Sequence, residues 1–285
     1  MDNPPFAYSP IVDRPPLHWP GGARVAFYLG VNVEHYLVDQ PSTSIFAGTT
    51  HLSPDPLNYG WRDYGPRVGI WRLIKTLDRL GLRASVLLNS DVAQRYPQII
   101  EAGRERDWTW LAHGKNNSTL QADMTVEEER AYLTEVVDTI EAHTGRRPRG
   151  WMGPALTETF QTPRLLAELG LGYLLDWTND DQPYPLTVPG LLSVPYSVEL
   201  NDIGLFLGKS LSGPEFVRVV KDQFDQLYAD SADSGRVMAL ALHPFVINQP
   251  FRHRYLEEAL EYVVNHPGVW LTTSDEIAEH YRSVS

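Results

Sequence analysis

The chain has 285 residues, 42% of them hydrophobic and 11% aromatic, and one α/β barrel would use nearly all of that length, so a single domain over 1–285 is expected. A net charge of -12 and a pI near 5.2 argue against nucleic-acid or polyphosphate partners, which need concentrated Lys and Arg. Cysteine is absent, which excludes disulfides and thiolate metal sites. No apolar run approaches the ~20 residues of a membrane span, and Met1–Pro5 lacks the basic start of a signal peptide, so a cytoplasmic protein with no membrane partner is expected.

Residues 1–22 carry six prolines and two glycines and read as an irregular arm over the fold or a neighbouring subunit. A buried strand follows at 24–31, and its continuation presents Asn32, Glu34 and His35. Residues 37–65 form a long connection of the kind that serves as a lid. A helix is predicted over 66–80, with Ile70, Trp71, Ile74 and Leu77 on its buried face and Gly81 as its stop. Strand 83–88 ends in Asn89, a helical stretch covers 97–106, and strand 109–112 ends in His113 with Asn117 beyond it. Thr125 and Glu128 form a capping box that opens a helix, as do Ser212 and Glu215 later. Between them lie a short strand and turn at 149–154, a helix from Thr162, strand 173–175 leading to Asp176, and strand 191–194 followed by Tyr196, Glu199 and Asn201. Strand 237–242 ends in His243, and helix 253–265, strand 269–271 and helix 274–282 close the chain.

Strands alternating with helices imply parallel βα units. No G-x-G-x-x-G follows the first strand and no G-x-x-x-x-G-K-[ST] occurs, so nothing supports a nucleotide-binding open sheet. Polar groups at successive strand ends fit a distorted, TIM-like (β/α) barrel of about seven parallel strands, in which those ends converge on one face.

Asn32-Val33-Glu34-His35, His113 with Asn117, Gly150-Trp151-Met152-Gly153-Pro154, Asp176-Trp177 and Leu242-His243-Pro244 resemble, in order and spacing, the five motifs of the polysaccharide deacetylase superfamily. The resemblance spans roughly 24–245 and implies the same distorted barrel. The Asn before the acid, His-Pro-Phe at the fifth motif, Asn179-Asp180-Asp181, and Pro-Tyr-Ser with Asn201-Asp202 look most like the metal-independent allantoinase branch, which hydrolyses C–N bonds of cyclic ureides.

The departures shape the chemistry. The deacetylases carry two acids at the first motif and two histidines at the second; here the second acid is His35 and the second histidine is Asn117. The arginine of the third motif is absent, with Trp151 at about its place. Amides bind zinc poorly, so a site without metal is favoured, with Zn2+ on His35 and His113 as the alternative. In that scheme Glu34 is the general base, with burial raising its pKa toward neutrality, and His243 is the acid, oriented by Asp176. His35, His113 and Asn117 are oxyanion donors, Trp151 stacks on a planar ring, and Asn32, Asn89, Tyr196, Glu199 and Asn201 read its polar edges. The leading reading is a hydrolase of a small cyclic amide, imide or ureide, working as a homo-oligomer. The alternatives are a carbohydrate de-N-acetylase, possibly zinc-dependent, and an inactive barrel that binds a ligand.

Overall fold

The computed structural model describes residues 4–285. In chain order the elements are β1 (Val25–Val33), α1 (Pro56–Tyr64), α2 (Ile70–Leu80), β2 (Ala84–Leu88), α3 (Ser90–Arg95), α4 (Pro97–Glu105), β3 (Thr109–Ala112), α5 (Val126–Thr144) and β4 (Gly150–Trp151). They continue with α6 (Thr162–Glu168), β5 (Tyr173–Leu174), β6 (Tyr184–Pro185), β7 (Leu192–Ser193), α7 (Gly213–Asp230), β8 (Arg236–Leu242), α8 (Pro250–Val264), β9 (Val269–Leu271) and α9 (Ser274–Val284). The sheet runs β6-β7-β5-β4-β3-β2-β1-β8, with β9 also on β1, and every pairing is parallel except that of β6 with β7. It is a distorted (β/α) barrel, curled and incompletely closed.

Closure is partial because β7 and β8 do not form a ladder. The chain after β7 bridges the gap at one rung, Asn201 opposite Ala241, with Ala241 N donating to Leu200 O at 3.0 Å. The segment before β6 also crosses it, with Val237 N donating to Asp181 O at 2.8 Å, and the N-terminal arm lies alongside: Gly235 N donates to Leu17 O at 2.7 Å, Trp19 Nε1 donates to Arg236 O at 3.0 Å, and both arm side chains are buried. First and last core strands meet for a simpler reason than closure. β1 pairs directly with β8, Val31 opposite Leu242, so Glu34 and His243 emerge from adjacent strand ends.

Side-chain parity sorts the strands into two faces. Ala26, Tyr28, Leu87, Leu111, Met152, Leu175, Tyr196, Ala239 and Ala241 share the inner cluster, while Phe27, Val31, Leu88, Ala112, Trp151, Leu174 and Leu242 pack with helix residues such as Leu73 and Val136. Counting two residues on from an inner position therefore puts Asn32, Glu34, Asn89, His113 and His243 over the barrel interior. Gly30 leaves room there, since a Cβ on it would sit 2.7 Å from the Tyr196 ring.

Three expectations change. The connection 37–65 is not wholly irregular: Asp55 caps α1 by accepting from Asn58 N, and Pro56 begins it, so Ser53-Pro54-Asp55-Pro56 is a helix start. A π-helical segment, Gly65–Gly69, joins α1 to α2. On α2 the buried face is Ile70, Leu73, Ile74 and Leu77, while Trp71 is 36% exposed and donates Nε1–H to Pro66 O. Both predicted capping boxes are present, at Thr125/Glu128 and Ser212/Glu215. No helix among the described residues is long and apolar enough to cross a membrane.

Candidate active site

Glu34 is the hub. Asn117 Nδ2 donates to its Oε1 at 2.5 Å, His113 Nε2 lies 3.3 Å and His243 Nε2 3.6 Å from the same oxygen, and Tyr36 OH donates to Oε2. The side chains of Glu34 and His113 are 2% and 1% exposed and that of His243 is 7%, while Asn117 is half-buried. Burial pushes the Glu34 carboxyl up, but the charge of His243 and the hydrogen bonds from His113 and Tyr36 outweigh it and hold it below the ordinary carboxylate range. The expected upward shift is thus corrected: Glu34 is ionised at neutral pH.

His243 Nδ1–H donates to Asp202 Oδ1 at 2.7 Å, and His243 N donates to Asp202 Oδ2 at 2.7 Å. Burial lowers the imidazole pKa, yet the facing carboxylates of Asp202 and Glu34 carry it above 6.5. The orienting carboxylate is therefore Asp202, not Asp176. Leu174 faces the helices, so Asp176, two residues on, lies on that side too, where its Oδ1 accepts from Gly153 N at 2.7 Å. Parity also removes Trp151 from the mouth: its ring is wholly buried in the helix-side cluster and cannot stack on a ligand.

The amides form a directional chain. His35 N–H can only donate, which fixes Asn89 Oδ1 as its acceptor at 2.8 Å; Asn89 Nδ2 then donates to the His113 carbonyl and, at 3.0 Å, to Asn117 Oδ1. Asn117 is left with its N–H side toward Glu34. At the position where the resembling family has a second ligating histidine, the site receives a donor rather than a lone pair. His113 Nδ1 donates to Met152 O at 2.7 Å, and the His35 Nδ1 faces Tyr96 OH at 3.1 Å. Among the described residues no group of three His, Cys, Asp or Glu is arranged to hold a metal ion.

The remaining candidates divide. Asn32 Nδ2 donates to Tyr196 OH at 2.9 Å and Leu242 O at 3.2 Å, leaving its buried Oδ1 without a donor. Asn89 has both ends of its amide used within the protein. Asn201 Oδ1 accepts from Ile203 N at 3.0 Å, and Glu199 is exposed and paired with Lys209, so neither reaches the cluster. The sequence reading missed Tyr36, two residues after Glu34, and Asp202, which stands beside the Asn201 it singled out.

Trp61 and Arg62 of α1 pack against the surroundings of this cluster. Arg62 of α1 lies 4.8 Å over the Tyr36 ring, and Phe245 meets Trp61 edge to face at 4.9 Å and Tyr36 at 5.8 Å. Behind it, the π-helical segment before α2 meets the fifth motif: a Cβ on Gly69 would fall 2.1 Å from Pro244 O. A cavity of about 1190 Å³ lies elsewhere, under the arm at the open seam; of the site residues it touches only Tyr196 and Glu199.

Comparison with known proteins follows the same lines. A family model described as polysaccharide deacetylase matches residues 61–174. A putative polysaccharide deacetylase of Schizosaccharomyces pombe is 25% identical over 293 aligned positions, 92% of this chain and 91% of its own. The peptidoglycan deacetylase of Helicobacter pylori is 26% identical, over 80% of this chain and 88% of its own. The crystal structure of Puue allantoinase superposes with a TM-score of 0.88 at 27% identity, over 95% of each chain. With the motifs carried on the same barrel, these matches make the chain similar in sequence and fold to the polysaccharide deacetylase superfamily.

Proposed function

We propose that the protein hydrolyses a C–N bond other than a peptide bond in a small cyclic amide, imide or ureide, by acid–base catalysis between Glu34 and His243 and without a metal ion. The observation that carries this reading is the pairing, 3.6 Å apart, of a Glu34 carboxyl held below the ordinary range with a His243 whose pKa the carboxylates of Asp202 and Glu34 raise. One group is ready to take a proton and the other to give one. The N–H face that Asn117 turns to the site supports the absence of a metal, because it opposes a cation where the resembling enzymes place a ligand.

The steps balance as follows. Water adds to the ring carbonyl carbon while its proton passes to Glu34. The tetrahedral intermediate collapses, the C–N bond breaks, and the leaving nitrogen takes the proton of His243 Nε2. The proton on Glu34 returns to His243, restoring the enzyme and leaving an acid and a free amine or amide. Asn117 Nδ2, at Glu34 Oε1, is the donor placed for the developing oxyanion, and His113 Nε2 beside it donates there only in the imidazolium, since Met152 O holds the Nδ1 proton. Asn32 Oδ1 accepts a substrate N–H, a group that ring amides and ureides carry.

A panel of allantoin, hydantoin, succinimide and an acetylated chitooligomer, each with and without chelator, tests this. Ring opening that survives chelation is expected. Deacetylation of the oligomer alone, or activity that needs added zinc, would replace the reading by the carbohydrate one that the names of the two curated relatives suggest.

A further inference from the structure

Asp176, displaced from His243, still lies within two bonds' reach of the catalytic cluster by another route. The Met152–Gly153 peptide is the last rung on both edges of β4. On one edge its carbonyl accepts from His113 Nδ1 at 2.7 Å, and on the other its N–H donates to Asp176 Oδ1 at 2.7 Å. Side chains thus occupy the places where the ladders from β3 and β5 would continue, after Met152 N to Ala112 O and Leu175 N to Trp151 O, each 3.0 Å. Asp176 in turn pairs with Glu158 from the loop before α6, and burial, then the facing carboxyl, pushes the Asp176 carboxyl well up. Asp176 Oδ2 and Glu158 Oε1 are buried without a hydrogen-bond donor, and burial pushes the Glu158 carboxyl up to about 7 as well.

We propose that the Asp176–Glu158 carboxyl pair is a positioning device for His113, acting through the Met152–Gly153 peptide. A carboxyl oxygen on the N–H of a peptide polarises it and makes its carbonyl a better acceptor. That carbonyl holds the His113 proton on Nδ1 and turns Nε2 toward Glu34. The pair also accounts for the Asp-Trp motif, which the acid–base mechanism otherwise leaves without a role. Neither carboxyl touches the reacting atoms.

The proposal rests on the reading of the site above only for its kinetic part, and the test separates the two. Asp176→Asn keeps an oxygen for Gly153 N–H and offers an amide donor to Glu158, whereas Asp176→Ala removes both. In the ligand-free protein the His113 Nδ1–H proton resonance, assigned by its loss in His113→Asn, is expected in wild type and Asp176→Asn and broadened by solvent exchange in Asp176→Ala. On whichever panel compound is turned over, Asp176→Ala is expected to lower kcat by about 10- to 100-fold, as loss of an outer hydrogen-bond partner of a site histidine does, with KM little changed and Asp176→Asn close to wild type. If Asp176→Ala fails to fold, Glu158→Leu makes the same test from the other end, with the resonance again expected to broaden. An unchanged resonance in Asp176→Ala or Glu158→Leu, or Asp176→Asn losing as much as Asp176→Ala, overturns the proposal whether or not any panel compound is a substrate.

Discussion

His243 Nε2 stands 3.6 Å from Glu34 Oε1, and Asp202 is bonded to the far side of the same imidazole. The relationship makes the charge of His243 depend on Asp202. The raised His243 pKa means the acid is lost only as pH climbs past its ordinary 6.5. Asp202→Asn removes a negative charge beside the ring, so the alkaline limb of the kcat profile is expected to move to lower pH, with the plateau lowered by about 10²-fold or more. A pH–rate comparison with wild type checks this; an unmoved alkaline limb would take Asp202 out of the account.

Tyr36 governs the opposite limb. Its hydroxyl donates to Glu34 Oε2 and helps hold that carboxyl below the ordinary range. Tyr36→Phe leaves this oxygen buried without its donor, so the acid limb is expected to shift to higher pH. Melting should report about 1–3 kcal/mol of lost stability, the usual cost of a buried unsatisfied acceptor. The same pH series, with a denaturation curve, gives both numbers.

Gly69 tests how the helical layer supports the fifth motif. Gly69→Ala must displace either α2 or the Pro244 carbonyl, which its Cβ would approach to 2.1 Å. Overpacking of this kind typically costs about 1–3 kcal/mol. Because Pro244 follows His243 directly, kcat should fall with stability. Denaturant midpoints and turnover, measured together, distinguish this from a purely structural loss, in which kcat of the folded fraction would be unchanged.

Much of this arrangement was legible in the sequence, and the misses have a common cause. β1 and β8 are long enough for alternation to show which residues face the interior, and Glu34 and His243 follow from that count. β4 and β5 contain two residues each, too short to display a period, so Trp151 and Asp176 were assigned to the mouth by proximity to a strand end and lie on the helix side instead. Asp202 reaches His243 through a single rung, Asn201 to Ala241, formed by an irregular segment across an open seam. No local pattern announces such a bridge. α1 was hidden because Asn58 and Gly60 are poor helix formers, and its Asp55–Pro56 start also reads as a turn.

Metal dependence follows from the amide chain that ends on Glu34. Since Asn117 presents its N–H side, exhaustive chelation should leave turnover within about two-fold of the untreated protein, against the 10–100-fold losses typical of disturbed metal sites. Asn117→His, which restores an imidazole beside His113, should not create zinc-dependent activity. Metal analysis of the purified protein alongside the assay checks both outcomes.

Turnover of a cyclic ureide or imide by chelator-treated protein, compared among wild type, Glu34→Gln and His243→Ala, bears most directly on the proposed chemistry. Each substitution is expected to lower kcat by about 10²–10⁴-fold while the melting temperature stays close to that of wild type. Wild-type turnover in Glu34→Gln, or activity that vanishes on chelation and returns with zinc, would contradict it.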